Sequence, residues 1–90
     1  MLYEQLKALV READKTETVW ELRESDADGS NDYDAILKAD AAYTMHHITC
    51  RKLSDWIVEQ IGCDKPTANE MAFSREKRAE LLARLQRRAG

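Results

Sequence analysis

Three glycines and one proline in 90 residues leave this chain few places to turn, so its helices must be long and its connections few. The same scarcity excludes chemistry that depends on glycine. Phosphate-cradling loops, dinucleotide-binding fingerprints and glycine-bracketed serine elbows all need glycines at fixed spacing, and none is present. Two cysteines, Cys50 and Cys63, are too few for a disulfide framework and fit a reducing, cytoplasmic setting. No run approaches the roughly 20 apolar residues that span a bilayer, so no membrane contact is expected. The opening stretch MLYEQLKALVRE mixes acids into a helical pattern, unlike a secretory signal.

Charge is plentiful by contrast, at 34% of residues against 43% hydrophobic, with a net charge of −3. Its distribution is uneven. Residues 17–34 hold seven acids and one base, and residues 75–88 hold six bases and two acids. A chain polarised in this way meets its opposite charge internally, across a self-association seam, or on a partner.

The apolar spacing reads as helix throughout. Leu2, Leu6, Leu9, Ala13, Thr16 and Trp20 form one stripe, predicting a helix over about 2–24. Whether it runs unbroken through 14–18 is open, because Thr18-Val19-Trp20-Glu21 is also a capping box. An acidic hinge is expected over 25–32. Ile36, Tyr43, Cys50 and Ile57 then recur every seven residues, with Ala39, His46 and Leu53 between them, predicting a helix over 33–62 stopped by Gly62. A connector over 63–73, with the capping box Thr67-Ala68-Asn69-Glu70, leads to a basic helix over 74–89 capped by Ser74.

Such a central helix is about 45 Å long at 1.5 Å per residue, more than a chain of this size covers evenly. The expected fold is therefore all-α, a single domain of three to four helices built around 33–62. It is expected to self-associate, as a dimer, through Ile36, Tyr43, Cys50, Leu53, Trp56, Ile57 and Trp20.

Two metal readings fail on geometry. The acidic run Glu24–Asp34 resembles a calcium loop in composition, but placing Gly29 at the sharp turn puts Ala35 where a closing glutamate is required. His46 and Cys50 share a helix face, yet Cys63 lies about 20 Å further along a continuous helix, too far for a shared zinc or a disulfide. No metal and no cofactor is expected.

One catalytic pattern stays open. Glu21-Leu22-Arg23-Glu24 is followed, after twelve intervening residues, by Leu37-Lys38-Ala39-Asp40, and the run ILKADAAY resembles the second half of the paired motif of all-α nucleotide pyrophosphohydrolases. That resemblance implies magnesium held between two helices by Glu21, Glu24 and Asp40. Leu37 stands where the family has a metal-binding glutamate, which removes an oxygen donor that magnesium needs.

The expectation from the sequence is a small regulatory or inhibitory protein without catalytic activity, acting on a protein partner. Its contact residues would be Asp26, Asp28 and Asp32 in the acidic hinge and Arg75, Arg78, Arg84, Arg87 and Arg88 in the basic helix. Compactness and the lack of catalytic motifs fit an accessory factor of a phage or mobile element. A nucleic-acid contact through the basic helix ranks second, since it lacks interleaved aromatics for base stacking. A degenerate pyrophosphohydrolase-like protein ranks third.

Overall fold

The computed structural model describes residues 2–29 and 32–89. Four helices follow one another: α1 (Leu2–Ala27), α2 (Tyr33–Ile61), α3 (Lys65–Ala72) and α4 (Arg75–Ala89). No strand occurs among the described residues, and the fold is an all-α bundle.

α1 is unbroken through 14–18. The Thr16 and Thr18 hydroxyls donate to the carbonyls of Ala13 and Asp14, both at 3.0 Å, so Thr18 is spent inside the helix and starts no second one. α1 also runs three residues past its expected end, which takes Asp26 out of the hinge and into the last helical turn. Asp32 caps α2, its carboxylate accepting from the Asp34 amide at 3.0 Å. Ser30 and Asn31, the other candidate caps, lie outside the described residues.

Gly62 ends α2 in the left-handed region at φ 87°, its amide donating to the carbonyls of Ile57 and Val58. The expected connector over 63–73 is in large part a helix of its own, and it opens at Lys65 rather than at the Thr67 capping box. Asp64 stands at its N-cap and Pro66 lies in the first turn, where a residue without an amide hydrogen costs nothing. Ser74 accepts from the Lys77 amide at 3.3 Å and starts α4, as its position suggested.

α1 and α2 form a long antiparallel hairpin, and α3 and α4 cover only the half remote from its loop. α3 packs on α2 and α4 packs on α1, giving a molecule of 49 × 23 × 17 Å. The core lies in the covered half: Leu6, Val10, Ala13, Cys50, Leu53, Ile57, Ala68, Met71, Ala72 and Leu81 are buried. Complete burial of side chains such as Leu6, Leu53 and Ile57 stabilises by roughly 1.5–3 kcal/mol each. Ser54, also buried, donates to Asn69 at 2.6 Å and ties α3 to α2.

The second half of the seven-residue repeat on α2, Cys50 and Ile57, therefore has its partner within the chain, while Ile36 and Tyr43 stay exposed. Cys50, Leu53 and Ile57, expected in a dimer seam, are sealed inside the protomer at 0% exposure by α1 and its neighbours. An antiparallel helix pair needs an apolar seam of the same period as two chains do, so the repeat alone does not say which chain supplies the cover.

Candidate functional site

Among the described residues, one buried charge cluster joins three helices. Arg78, on the apolar face of α4 beside Leu81 and Leu82, is wholly buried. Its Nε donates to Asp14 Oδ1 at 2.9 Å and its Nη1 to the Ala72 carbonyl at 2.8 Å, while Nη2 bonds Glu17 and also reaches Asp14. Arg75 stands outside it, donating to the Asp14 carbonyl and to Thr18 Oγ1, both at 2.9 Å, with Glu17 Oε2 at 3.5 Å. The planar guanidinium fork suits this task, since it meets two carboxylates and a carbonyl in one plane.

His46 completes the cluster from α2. The Thr16 hydroxyl has a single proton and gives it to Ala13, so His46 Nδ1–H donates to Thr16 Oγ1 at 2.9 Å. That assignment leaves Nε2 as a lone pair beside the Cys50 thiol at 3.5 Å, with Glu17 Oε1 at 3.9 Å. Burial pushes His46 below the usual histidine range; Glu17 opposes the shift, and Arg78, His47 and Arg75 add to it. Burial works to raise the Glu17 carboxyl, but the Arg78 hydrogen bond and the Arg78 and Arg75 charges prevail, and it sits below the usual carboxylate range. Burial drives the Cys50 thiol up to about 11. A protonated, enclosed thiol is no nucleophile, so Cys50 beside His46 packs rather than reacts.

Beyond this cluster the hairpin continues as a bare arm. Eight of the ten large exposed apolar side chains lie between residues 19 and 48, a span that the end of α3 meets only at its base, through His47 and Phe73. On one flank an aromatic chain runs from α1 to α3. Trp20 lies over His46 with ring centroids 5.7 Å apart and meets Tyr43 at 5.3 Å; Tyr43 meets His47 at 6.0 Å, and His47 meets Phe73 edge-on at 5.3 Å. Tyr43 is 49% exposed and Ile36, one turn-pair before it, 41%. Next to Trp20, an open pocket of about 530 Å³ is lined by Glu21, Glu24, Ser25 and Asp28, so the aromatic flank has an acidic border.

The residues anticipated from the sequence fall into three places. Asp26, Asp28 and Asp32 are exposed at the loop end of the arm. Arg84, Arg87 and Arg88 are exposed on α4, which lays Arg75 beside Thr18 and Arg78 beside Asp14 and so runs back along α1, away from that loop. Arg75 and Arg78 do not add free charge to that set, although Arg75 is exposed. Arg78 is internal and Arg75 is committed to Asp14, Glu17 and Thr18. Among the seven seam residues, Ile36 and Tyr43 are exposed and Trp20 is half-buried in the aromatic chain. Trp56 is half-buried against the core, its indole donating to Gln5 at 3.3 Å. Asp14, Glu17 and Phe73 were not anticipated. The signal for the first two was present: an arginine on a leucine face requires carboxylates from another helix.

Among the described residues, no three His, Cys, Asp or Glu side chains are grouped where they could hold a metal ion. Glu21 and Glu24 line the acidic pocket, but Asp40 from α2 does not, and Leu37 is 47% exposed to solvent. The two halves of the pyrophosphohydrolase-like pattern thus lie on adjacent helices without forming a cage. None of the described helices is long and apolar enough to cross a membrane. No family model matches the sequence, and no curated protein and no solved structure matches it.

Proposed function

We propose that this protein is a small regulatory or inhibitory protein that works by occupying a partner protein, not by catalysis, and that it self-associates as a dimer. The observation that carries the reading is the part-exposed aromatic chain Trp20–Tyr43–His47–Phe73, with its acidic border, at the base of an arm that α3 and α4 leave bare over most of its length. Aromatic side chains give large contact area at low entropic cost and are enriched where partners dock. Glu21, Glu24 and Asp28 beside them select a partner surface that is basic and partly apolar. Charges at the rim steer the encounter and fix its orientation, while the rings supply the affinity.

The nucleic-acid reading weakens for a specific reason. Of the six bases in α4, Arg78 is neutralised inside the molecule, Arg75 pairs with Asp14 and Glu17 at the surface, and Lys77 pairs with Glu70 at 3.4 Å. Three arginines, Arg84, Arg87 and Arg88, remain at the end of α4, where cations also stabilise the helix dipole. Few phosphates could be neutralised by so short a set.

The test is capture from the source cell with the tagged protein, followed by reconstitution with the purified captured component. Ile36→Asp and Tyr43→Asp should abolish the complex at unchanged helicity, whereas the triple charge reversal of Arg84, Arg87 and Arg88 to Glu should leave it intact. Retention of the complex by the two arm variants overturns the reading. Retention on heparin that collapses with salt, lost in the triple reversal, would favour nucleic acid instead.

A further inference from the structure

The outer side of α2 carries a second apolar surface that the aromatic flank does not use. Leu37, Ala41, Met45 and Ile48 recur at spacings of four, four and three, one stripe on a helix. Leu37 is 47%, Met45 58% and Ile48 46% exposed. Between this stripe and α1 runs a groove of about 450 Å³ floored by Val19, Ala41, Ala42 and Met45. Met45 and Tyr43 are about 200° apart around the helix at about 100° per residue, so the stripe and the aromatic flank face different ways. One turn beyond each end stands a charge, Asp34 before Leu37 and Lys52 after Ile48, both exposed. Neither forms an ion pair among the described residues.

We propose that a second copy of this chain covers the stripe, with the two α2 helices packed antiparallel about a twofold axis level with residue 43. In that register each residue before 43 meets the one equally far after it. Asp34 meets Lys52 of the second copy, Leu37 meets Thr49, Lys38 meets Ile48 and Ala41 meets Met45. Three of these pairings carry the register. Met45, long and flexible, enters the space left by Ala41, the knob-and-hole complement that antiparallel helices require. Lys38 lays its methylenes over Ile48 and keeps its ammonium in water. The end charges choose the direction, because a parallel pairing sets Asp34 against Asp34 and Lys52 against Lys52, while the antiparallel one makes two opposite-charge pairs.

Size sets how tight the dimer is. The stripe from 34 to 52 is about 27 Å long at 1.5 Å per residue, and the single helix that carries it is about 10–12 Å across. That gives about 300 Å² per copy and about 600 Å² in all, below the size of stable specific interfaces and in the range of weak, transient ones. The dimer is therefore reversible on dilution, and it leaves both aromatic flanks open to partners. This inference rests on the self-association proposed above and specifies its surface.

Sedimentation equilibrium from low to several hundred micromolar tests it, with helicity checked by circular dichroism. The wild type is expected to move from monomer to dimer over that range. Met45→Glu, at a side chain already more than half exposed, should stay folded and monomeric. Lys52→Asp should weaken the dimer by roughly tenfold or more, and Asp34→Lys combined with Lys52→Asp should restore it. A wild type that remains monomeric throughout overturns both this surface and self-association itself. A dimer that survives Met45→Glu overturns this surface alone, and failure of the double charge swap to restore the dimer overturns the antiparallel register.

Discussion

Replacing Arg78 with methionine keeps most of the side-chain volume and removes the buried charge that ties α4 to α1, leaving only the half-exposed Arg75 pairs. Arg78 is 0% exposed and makes four polar contacts, to Asp14 twice, Glu17 and the Ala72 carbonyl. Counted singly, hydrogen bonds to charged groups contribute about 1.5–3 kcal/mol each, but they share one desolvation cost and do not add. Breaking a buried pair by deleting one partner costs about 3–5 kcal/mol, because the surviving charge is stranded. Here the stranding is uneven. The Asp14 side chain is 42% exposed and returns to water, while that of Glu17 is 15% exposed and does not. The expected loss is therefore about 3 kcal/mol, near the low end of that range. For a domain of this size 1 kcal/mol moves the melting temperature by about 4–8 °C, so Arg78→Met should lower it by roughly 12–24 °C. Thermal melts of the wild type, Arg78→Met, Glu17→Gln and the double variant form a cycle, and the double variant should lose less than the two singles together. A single variant that melts within about 3 °C of the wild type, with additive effects in the cycle, refutes the claim that this ion cluster fixes α4.

Two further outcomes follow from the same cluster. His46 sits below its ordinary value of 6.5 in the fold, so the unfolded chain binds the proton first and stability should decline as pH falls below that value. Glu17, also lowered, adds a second loss that begins below its ordinary value of 4.5. Melts between pH 8 and pH 5 should show the first decline in the wild type and a flatter profile in His46→Gln, whereas a flat wild type contradicts the assignment. Thiol titration of the native protein should find Cys63, half-buried, reacting well before Cys50, which is enclosed and protonated at neutral pH. Equal rates at the two cysteines would show that the core is open at α2.

Helix placement was readable because the spacing of Leu6, Leu9, Ala13 and Trp20, and of Ile36, Tyr43, Cys50 and Ile57, reports an apolar face directly. Gly62 and Ser74 were readable as boundaries because each has one strong local reason to stand there. What spacing does not report is the identity of the covering element. Cys50, Leu53 and Ile57 suit a neighbour from the same chain as well as from another, and the choice depends on where α1, α3 and α4 end in space. Thr67 made a good local cap, but Pro66 and Asp64 two residues earlier set the start of α3, since proline favours the first turn over a place just outside it. Arg78 was visible on a leucine face of α4, yet Asp14 and Glu17 are more than sixty residues away and carry nothing local to mark them as its partners. The exposed arm was legible only in part: the aromatic chain draws Trp20 from α1, Tyr43 and His47 from α2, and Phe73 from the cap that ends α3.

The central claim is that the bare arm of the hairpin, and not the basic helix, meets the partner. Hydrogen–deuterium exchange of the reconstituted complex against the free protein tests this most directly, because it reads where backbone protection is gained. The account predicts new protection over residues 19–28 and 33–48, with 84–88 unchanged. Protection confined to 84–88, with the arm exchanging as it does in the free protein, would contradict it.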